Sequence, residues 1–296
     1  GSIRRITLLR ILADLCKARG IKVHHDLRIE NPDRLDADVI VGADGVNSVV
    51  RRAYEGAFGM TARTLQGRMA WYGTTRHYAS PILSFRTTPH GNFWAVGYSH
   101  APTESTFVAE CDADAWIRSG LNAMTPEERL AFSQRMFAAE LDGHPLLSNR
   151  SDWFALPVIR CAQWSVGHRV LIGDALHSPH PSIGSGTRIA MEDAIALIEA
   201  FEVHPDDVRA ALETYQRVHA PQSMKLIAAM EKSFEWYEHV GPKLHELDAV
   251  DLAFDFMMRT GRIDEARLRA EYPAFMGLYA DRWSAWIRRR SDSAAA

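Results

Sequence analysis

Apolar residues recur at helical spacing at both ends of this chain and alternate in strand fashion through its middle. Over residues 3–19, Ile6, Leu8, Leu9, Leu12 and Leu15 predict a helix with one buried face, and Gly20 suits its C-cap. Residues 21–25 read as a short strand and Asn31-Pro32-Asp33 as a turn. A buried strand at 38–41 stops at Gly42-Ala-Asp44-Gly45, and Ser48 then caps a short helix that carries Arg51. Between residues 63 and 151 the texture changes. Segments 69–75, 82–86, 92–98 and 105–110 are rich in aromatic and β-branched residues, with a turn at Pro89-His-Gly91-Asn92, and predict a mainly antiparallel sheet. Thr125-Pro-Glu-Glu128 is a capping box with a first-turn proline, opening a helix to about residue 140.

The stretch 169–194 organises the rest. Its β-leaning run 169–172 ends in Gly173-Asp174, and Pro179 and Pro181 bar a regular helix through the next residues. Gly184 and Gly186 permit close backbone approach, and a helix is predicted over 189–201 with Ile189, Ala190, Ile195, Leu197, Ile198 and Phe201 mostly on one broad face. A carboxylate at a strand end, followed by bare N–H groups opening a helix, suits an anion or a polar ring. Helices are expected at 208–219, 222–240 and through much of 244–259. A tail with Phe275, Trp283 and Trp286 follows, fraying from Arg288. The expected divisions are 1–62 and 153–220 for one α/β domain, 63–152 for the inserted sheet, and 221–296 for a C-terminal helical region.

Composition narrows the chemistry. With 296 residues, 47% hydrophobic and 24% charged, the chain is globular in character. A net charge of −3 gives no bulk case for nucleic acid or an acidic membrane. Lysine is absent between Lys22 and Lys225, so a P-loop or Schiff-base lysine has no candidate in the body of the chain. Cys16, Cys111 and Cys161 are scattered and form no CxxC, which fits a reducing cytoplasmic setting better than a disulfide framework or zinc site. His177 and His180 straddle a proline with no evident carboxylate partner, so no metal is expected there. No apolar run approaches a membrane span. The chain starts with Gly1-Ser2 directly before an amphipathic helix. Either an appended pair or a cut inside a longer protein explains that start.

The segments 38–51 and 169–194, separated by a sheet-rich insert, resemble the paired DG and GD motifs of flavin-dependent aromatic hydroxylases, the p-hydroxybenzoate-hydroxylase-like FAD monooxygenases. The run Gly184-Ser-Gly-Thr-Arg-Ile-Ala-Met-Glu-Asp-Ala-Ile-Ala-Leu197 resembles the enzymes acting on salicylyl-CoA and 2-aminobenzoyl-CoA, and the violacein-pathway indole hydroxylase. Trp71-Tyr-Gly-Thr, Ser105-Thr-Phe-Val-Ala-Glu-Cys111, Asp142-Gly-His144 and Ser233-Phe-Glu-Trp236 resemble them too. Arg188 stands where the wider family usually has Asn, a trait of this subgroup.

The resemblance implies an α/β (α+β) fold: a three-layer FAD-binding domain, an inserted mainly antiparallel substrate sheet, and C-terminal helices. It implies that Asp174 meets the ribityl and phosphate region of FAD, beside Gly173. The backbone of Gly184, Ser185, Gly186 and Thr187 would then face the N1–C2=O edge of the flavin. Pro181 would pack near the ring, Arg5 would meet the pyrophosphate, and Asp44 would serve both FAD and a passing NAD(P)H. NAD(P)H would reduce FAD, and O2 would add at C4a. The resulting hydroperoxide would hydroxylate an electron-rich ring, held as a CoA thioester or as an indole-type compound. Tyr98, His100 and Arg86 are the candidates for orienting that ring beneath the aromatic strands. The family's opening Gly-x-Gly-x-x-Gly turn has no counterpart here, so the chain reads as the domain without its first βαβ unit. Two alternatives stay open: another flavin-dependent oxidoreductase on the same scaffold, and a catalytically inactive fragment or binding module. The Trp-x-Trp-x-Ile-Pro run and catalytic lysine of flavin halogenases are absent.

Overall fold

A computed structural model describes residues 3–148, 151–178 and 180–280, so Pro179, Trp283, Trp286 and the segment from Arg288 lie outside the described residues. The chain divides into two compact units, Gly1–Asp36 with Ala62–Pro157, and Ala37–Thr61 with Val158–Ala296. This differs from the expected division in two places. Residues 1–36 group with the sheet, and the C-terminal helices join the second unit, where Phe234 packs on His180 and Arg259 donates to Ser182 O.

In the first unit an antiparallel sheet runs in the order Ile82–Thr88, Gly91–Ala101, Glu104–Cys111, Arg68–Thr74 and Leu146–Leu147. Four of its five strands were legible in the sequence, as was the turn between the first two; the short edge strand Leu146–Leu147 was not. Strand alternation sends Phe93, Ala95, Phe107, Ala109, Ala70 and Tyr72 to one face, where they pack with Leu121, Phe137 and Leu141. Phe107 and Phe137 meet edge-on at 5.5 Å. Burying each such ring contributes on the order of 2–3 kcal/mol. The capping box forms: Glu128 N donates to Thr125 Oγ1 (3.2 Å) and Thr125 N to Glu128 Oε2 (2.7 Å). Its helix, Pro126–Met136, is followed after Phe137 by one further turn, Ala138–Leu141.

Two expectations fail in this unit. The helix Arg5–Ala18 forms, yet none of its residues is buried: its apolar face, Ile6, Leu9, Leu12 and Leu15 included, is uncovered. Residues 21–25 adopt no strand among the described residues, because a strand needs a neighbouring ladder to bond and Ile21 and Val23 stand exposed.

In the second unit Ile40–Gly42 pairs in parallel with Arg169–Leu171, register Ile40↔Arg169 through Gly42↔Leu171, and Ser165–Val166 adds antiparallel on the other side. Gly42 lets Leu171 and Val50 pack closely here. A Cβ would lie 2.6 Å from Leu171 Cδ2. Val170, Leu171, Leu176, Leu212 and Tyr215 form the core under the helices Gly186–Val203 and Val208–Glu238. The first of these buries Ile189, Asp193, Leu197 and Ala200, whereas Ile195 and Ile198 are 58% and 60% exposed. The predicted apolar face was therefore rotated, since a charged residue occupies the inward stripe. The second helix is continuous through Pro221 rather than broken there. Buried residues on both sides, Tyr215 and His219 before, Leu226 and Met230 after, hold it in register despite the missing N–H.

Candidate functional site

Parallel strands end at the same sheet edge, and in parallel sheets that edge is where ligands bind. Here both strand ends carry an aspartate turn. After Ile40–Gly42, Asp44 Oδ2 accepts from Val49 N (2.6 Å) and Ser48 Oγ from Arg51 N (3.0 Å), starting the helix Val49–Ala53. After Arg169–Leu171, Gly173 takes φ +58° and its carbonyl accepts from Leu176 N (2.9 Å), which turns the exposed Asp174 outward. Gly173 N donates to the buried Asp193 Oδ2 at 2.8 Å.

Arg51 ties the two turns together. Its guanidinium is buried, donating from Nη1 to Ala175 O (2.6 Å) and from Nη2 to Val46 O. One carbonyl comes from each turn. Desolvation lowers its pKa from the usual arginine value, with the nearby Cys161 and Asp44 acting against it.

Behind the second turn lies a buried polar cluster. Asp193 Oδ2 is 2.8 Å from His177 Nε2, and Oδ1 is 2.9 Å from His219 Nε2. Burial alone would raise the Asp193 carboxyl. Hydrogen bonds from the two histidines and from the Gly173 amide outweigh it and bring it to about 2. An ionised carboxylate only accepts, so both imidazoles donate from Nε2. Trp164 stands edge-on to both, at 5.5 Å from His177 and 5.8 Å from His219. The sequence showed no carboxylate partner for His177; the fold supplies one sixteen residues later.

The segment 180–187 is held from beneath. His180 Nδ1 accepts from Ser182 N (3.1 Å), and its ring lies 5.4 Å from Phe234 and 6.2 Å from Tyr237. Burial pushes the His180 imidazole down to about 4. Arg259 reaches Ser182 O (3.3 Å) and Ser233 Oγ (2.9 Å), its guanidinium 3.6 Å over the Phe256 ring. Pro181–Ile183 makes a single 3-10 turn, Gly184 N donates to Pro181 O (2.8 Å), and Gly184 takes φ +63°. The helix begins at Gly186, three residues before its predicted start.

A flavin ring fits this arrangement. Among the described residues, apart from the chain neighbours and the helix's own backbone, no atom lies within 4 Å of where a Cβ would stand on Gly184 or Gly186, so the backbone there is open to a flat ligand. Ser185 at the N-cap contributes no side-chain cap, which leaves first-turn N–H groups to be met from outside. Such donors, with the positive helix end, complement the N1–C2=O edge that gains negative charge on reduction.

The structure brings Asp44, Gly173, Asp174, Pro181, Gly184, Ser185, Gly186 and Thr187 into the second unit. Arg5, Arg86, Tyr98 and His100 lie in the first. Arg5 is exposed on its helix. Tyr98 and His100 share the sheet face opposite the core; Arg86 is on the core face, paired with Glu140 at 2.7 Å. Arg188 is ion-paired to Glu192 at 2.7 Å. Arg51 as a clamp, Asp193, His219 and Arg259 were not anticipated. Only Asp193 left a trace in the sequence, as a charge at a helical spacing shared with Ile189 and Leu197.

A family model described as FAD binding domain matches residues 16–229. Salicyloyl-CoA 5-hydroxylase from a Streptomyces species is 34% identical over 99% of this chain and 57% of its own length. The 3-hydroxy-4-methyl-anthranilyl-[aryl-carrier protein] 5-monooxygenase of Streptosporangium sibiricum is 34% identical over 92% of this chain and 72% of its own length. The chain thus spans little more than half of the first of these relatives. Among solved structures, P. aeruginosa PqsL in complex with 2-aminobenzoylacetate superposes with TM-score 0.59 at 20% identity, covering 78% of this chain and 69% of that one, a likeness of fold. The matched model and the two relatives agree: the chain belongs to the FAD binding domain family.

Proposed function

We propose that the protein carrying this chain is an FAD-dependent monooxygenase that hydroxylates an aromatic ring presented as an acyl thioester, with NAD(P)H as reductant and O2 as oxygen donor. The observation that carries the reading is the open glycine backbone of Gly184 and Gly186 at a helix start, together with the outward Asp174 after the strand Arg169–Leu171. The thioester class rests on the CoA and aryl-carrier-protein substrates in the names of the two relatives.

Bound FAD would supply the redox and oxygen-transfer chemistry. The chain's own residues bind and orient. Asp174 accepts hydrogen bonds from the ribityl hydroxyls, and the N–H groups after Gly184 meet the polar edge of the ring. Pro181 shapes the wall beside it, Arg5 offers a cation to the pyrophosphate, and Asp44 serves the dinucleotides. Tyr98 and His100 orient the substrate ring. His100 is a fitting acceptor: burial, with Arg4 nearby, holds it below the usual histidine pKa, and its Nδ1 is buried without a partner. Arg86, already held by Glu140, serves the sheet more directly than the substrate.

The test is FAD titration of the purified protein, then turnover of salicylyl- and aminobenzoyl-CoA under labelled O2. Flavin binding and one labelled oxygen in the product support the reading. Absence of flavin binding overturns it, and flavin binding with labelled oxygen appearing only in free acids or indoles overturns the thioester class.

A further inference from the structure

Among the described residues of the second unit Asp193 is the most deeply buried charge, and no flavin contact accounts for it. Its side chain is fully inaccessible. A carboxylate in that position is costly unless each lone pair is used. Here three donors converge on two oxygens. Gly173 N and His177 Nε2 share Oδ2, each at 2.8 Å, and His219 Nε2 takes Oδ1 at 2.9 Å.

These donors come from three places in the fold. Gly173 and His177 flank Asp174 on the turn after the central strand, while His219 belongs to the helix Val208–Glu238. Asp193 itself sits two turns into the helix whose first residues make the glycine cradle. One carboxylate therefore fixes the aspartate turn relative to the helix that begins at the cradle. Gly173, at φ +58°, packs close against this helix: a Cβ there would lie 3.1 Å from Ala190 Cβ.

We propose that Asp193 is a positioning residue for FAD: it sets the spacing between the Asp174 carboxylate and the Gly184–Gly186 backbone by holding the Gly173 amide and His177 on one oxygen. The proposal rests on the flavin reading above. It assigns to Asp193 no contact with FAD. Its effect is on whether ribityl and ring contacts are made together, so it acts on cofactor affinity rather than on the stability of the unit alone.

The test compares FAD dissociation constants, by flavin fluorescence quenching, in the full protein and three variants, with thermal unfolding of each apoprotein recorded alongside. Asp193→Ala withdraws all three acceptor contacts and should weaken FAD at least tenfold. Asp193→Asn keeps a carbonyl oxygen for the Gly173 amide and should stay within about threefold of the parent, a conservative rescue. Leu197→Ala, one turn further along the same buried stripe, lowers the melting temperature without touching the turn and should leave FAD affinity unchanged. If Asp193→Ala does not fold, His177→Phe removes the donor that shares Oδ2 with Gly173 and should weaken FAD severalfold. The proposal is overturned if FAD affinity in Asp193→Ala or His177→Phe equals the parent's, or if Leu197→Ala weakens FAD in the same proportion to its lost stability. A parent protein that binds no FAD refutes the flavin reading instead.

Discussion

Arg51 Nη1 donates to the Ala175 carbonyl at 2.6 Å across 124 residues of sequence, so a side chain from the first aspartate turn is built into the second. The same guanidinium holds Val46 O, and Cys161 and Asp44 are close enough to affect it. Removing it leaves two carbonyls without a donor in a buried place, a loss of about 2–4 kcal/mol. Arg51→Ala should lower the unfolding free energy measured by urea titration by that amount. Arg51→Lys can reach one carbonyl and should recover less than half of it, because the planar fork is what spans both.

Gly173 and Gly184 both have positive φ, but only Gly173 has a neighbour where a Cβ would go. Gly184→Ala should cost about 1–2 kcal/mol from backbone alone. Gly173→Ala adds a contact with Ala190 and should cost more, measured by chemical unfolding of the two side by side. If both lose the same stability, the approach of helix to turn is looser than described.

Glu110 is buried on the sheet with its carboxyl raised by desolvation to about 7, the Trp94 side chain pulling the other way. The folded state therefore holds a proton that the unfolded chain has released. Stability should be greatest below about pH 4.5 for this group and fall as pH rises through about 7, by about 3 kcal/mol. Glu110→Gln should flatten that slope and be the more stable protein at pH 8. A parallel pair of pH–stability curves would refute this.

His180 gives the opposite sign. Burial depresses its imidazole to about 4, so the unfolded chain takes up a proton first and stability is lost as pH falls from about 6.5 through 4. His180→Gln, which keeps an acceptor for Ser182 N, should remove that acid limb in pH-dependent unfolding.

Glu140 is held below the usual carboxylate range although burial opposes it, by hydrogen bonds from Ser84 (2.5 Å) and from Arg86 (2.7 and 2.8 Å). Arg86→Met should cost about 1–3 kcal/mol by leaving that carboxylate under-paired. A double-mutant cycle with Glu140→Gln should return most of the loss as coupling energy; an additive cycle would deny that the pair acts as a unit.

Four of the five strands of the larger sheet, the Thr125 capping box and the two aspartate turns were legible because each depends on residues near one another in sequence. Alternation reports a strand, a box closes over three residues, and a Gly-Asp after an apolar run marks a strand end. The same locality explains what was misread. The helix Arg5–Ala18 has an apolar face that nothing described covers, Pro221 lies inside a helix that packing keeps continuous, and the apolar stripe of Gly186–Val203 contains Asp193. Periodicity ranks residues by polarity alone, and a charge becomes an inward residue only when partners arrive from elsewhere. Sequence by itself determined most of the elements and the pair of motifs that resemble those of flavin hydroxylases. Only the tertiary structure decided that Arg51 spans both turns and that Asp193 gathers Gly173, His177 and His219. Those contacts join residues from 16 to 124 positions apart, and such distances are set by packing and by the need to satisfy buried polar groups.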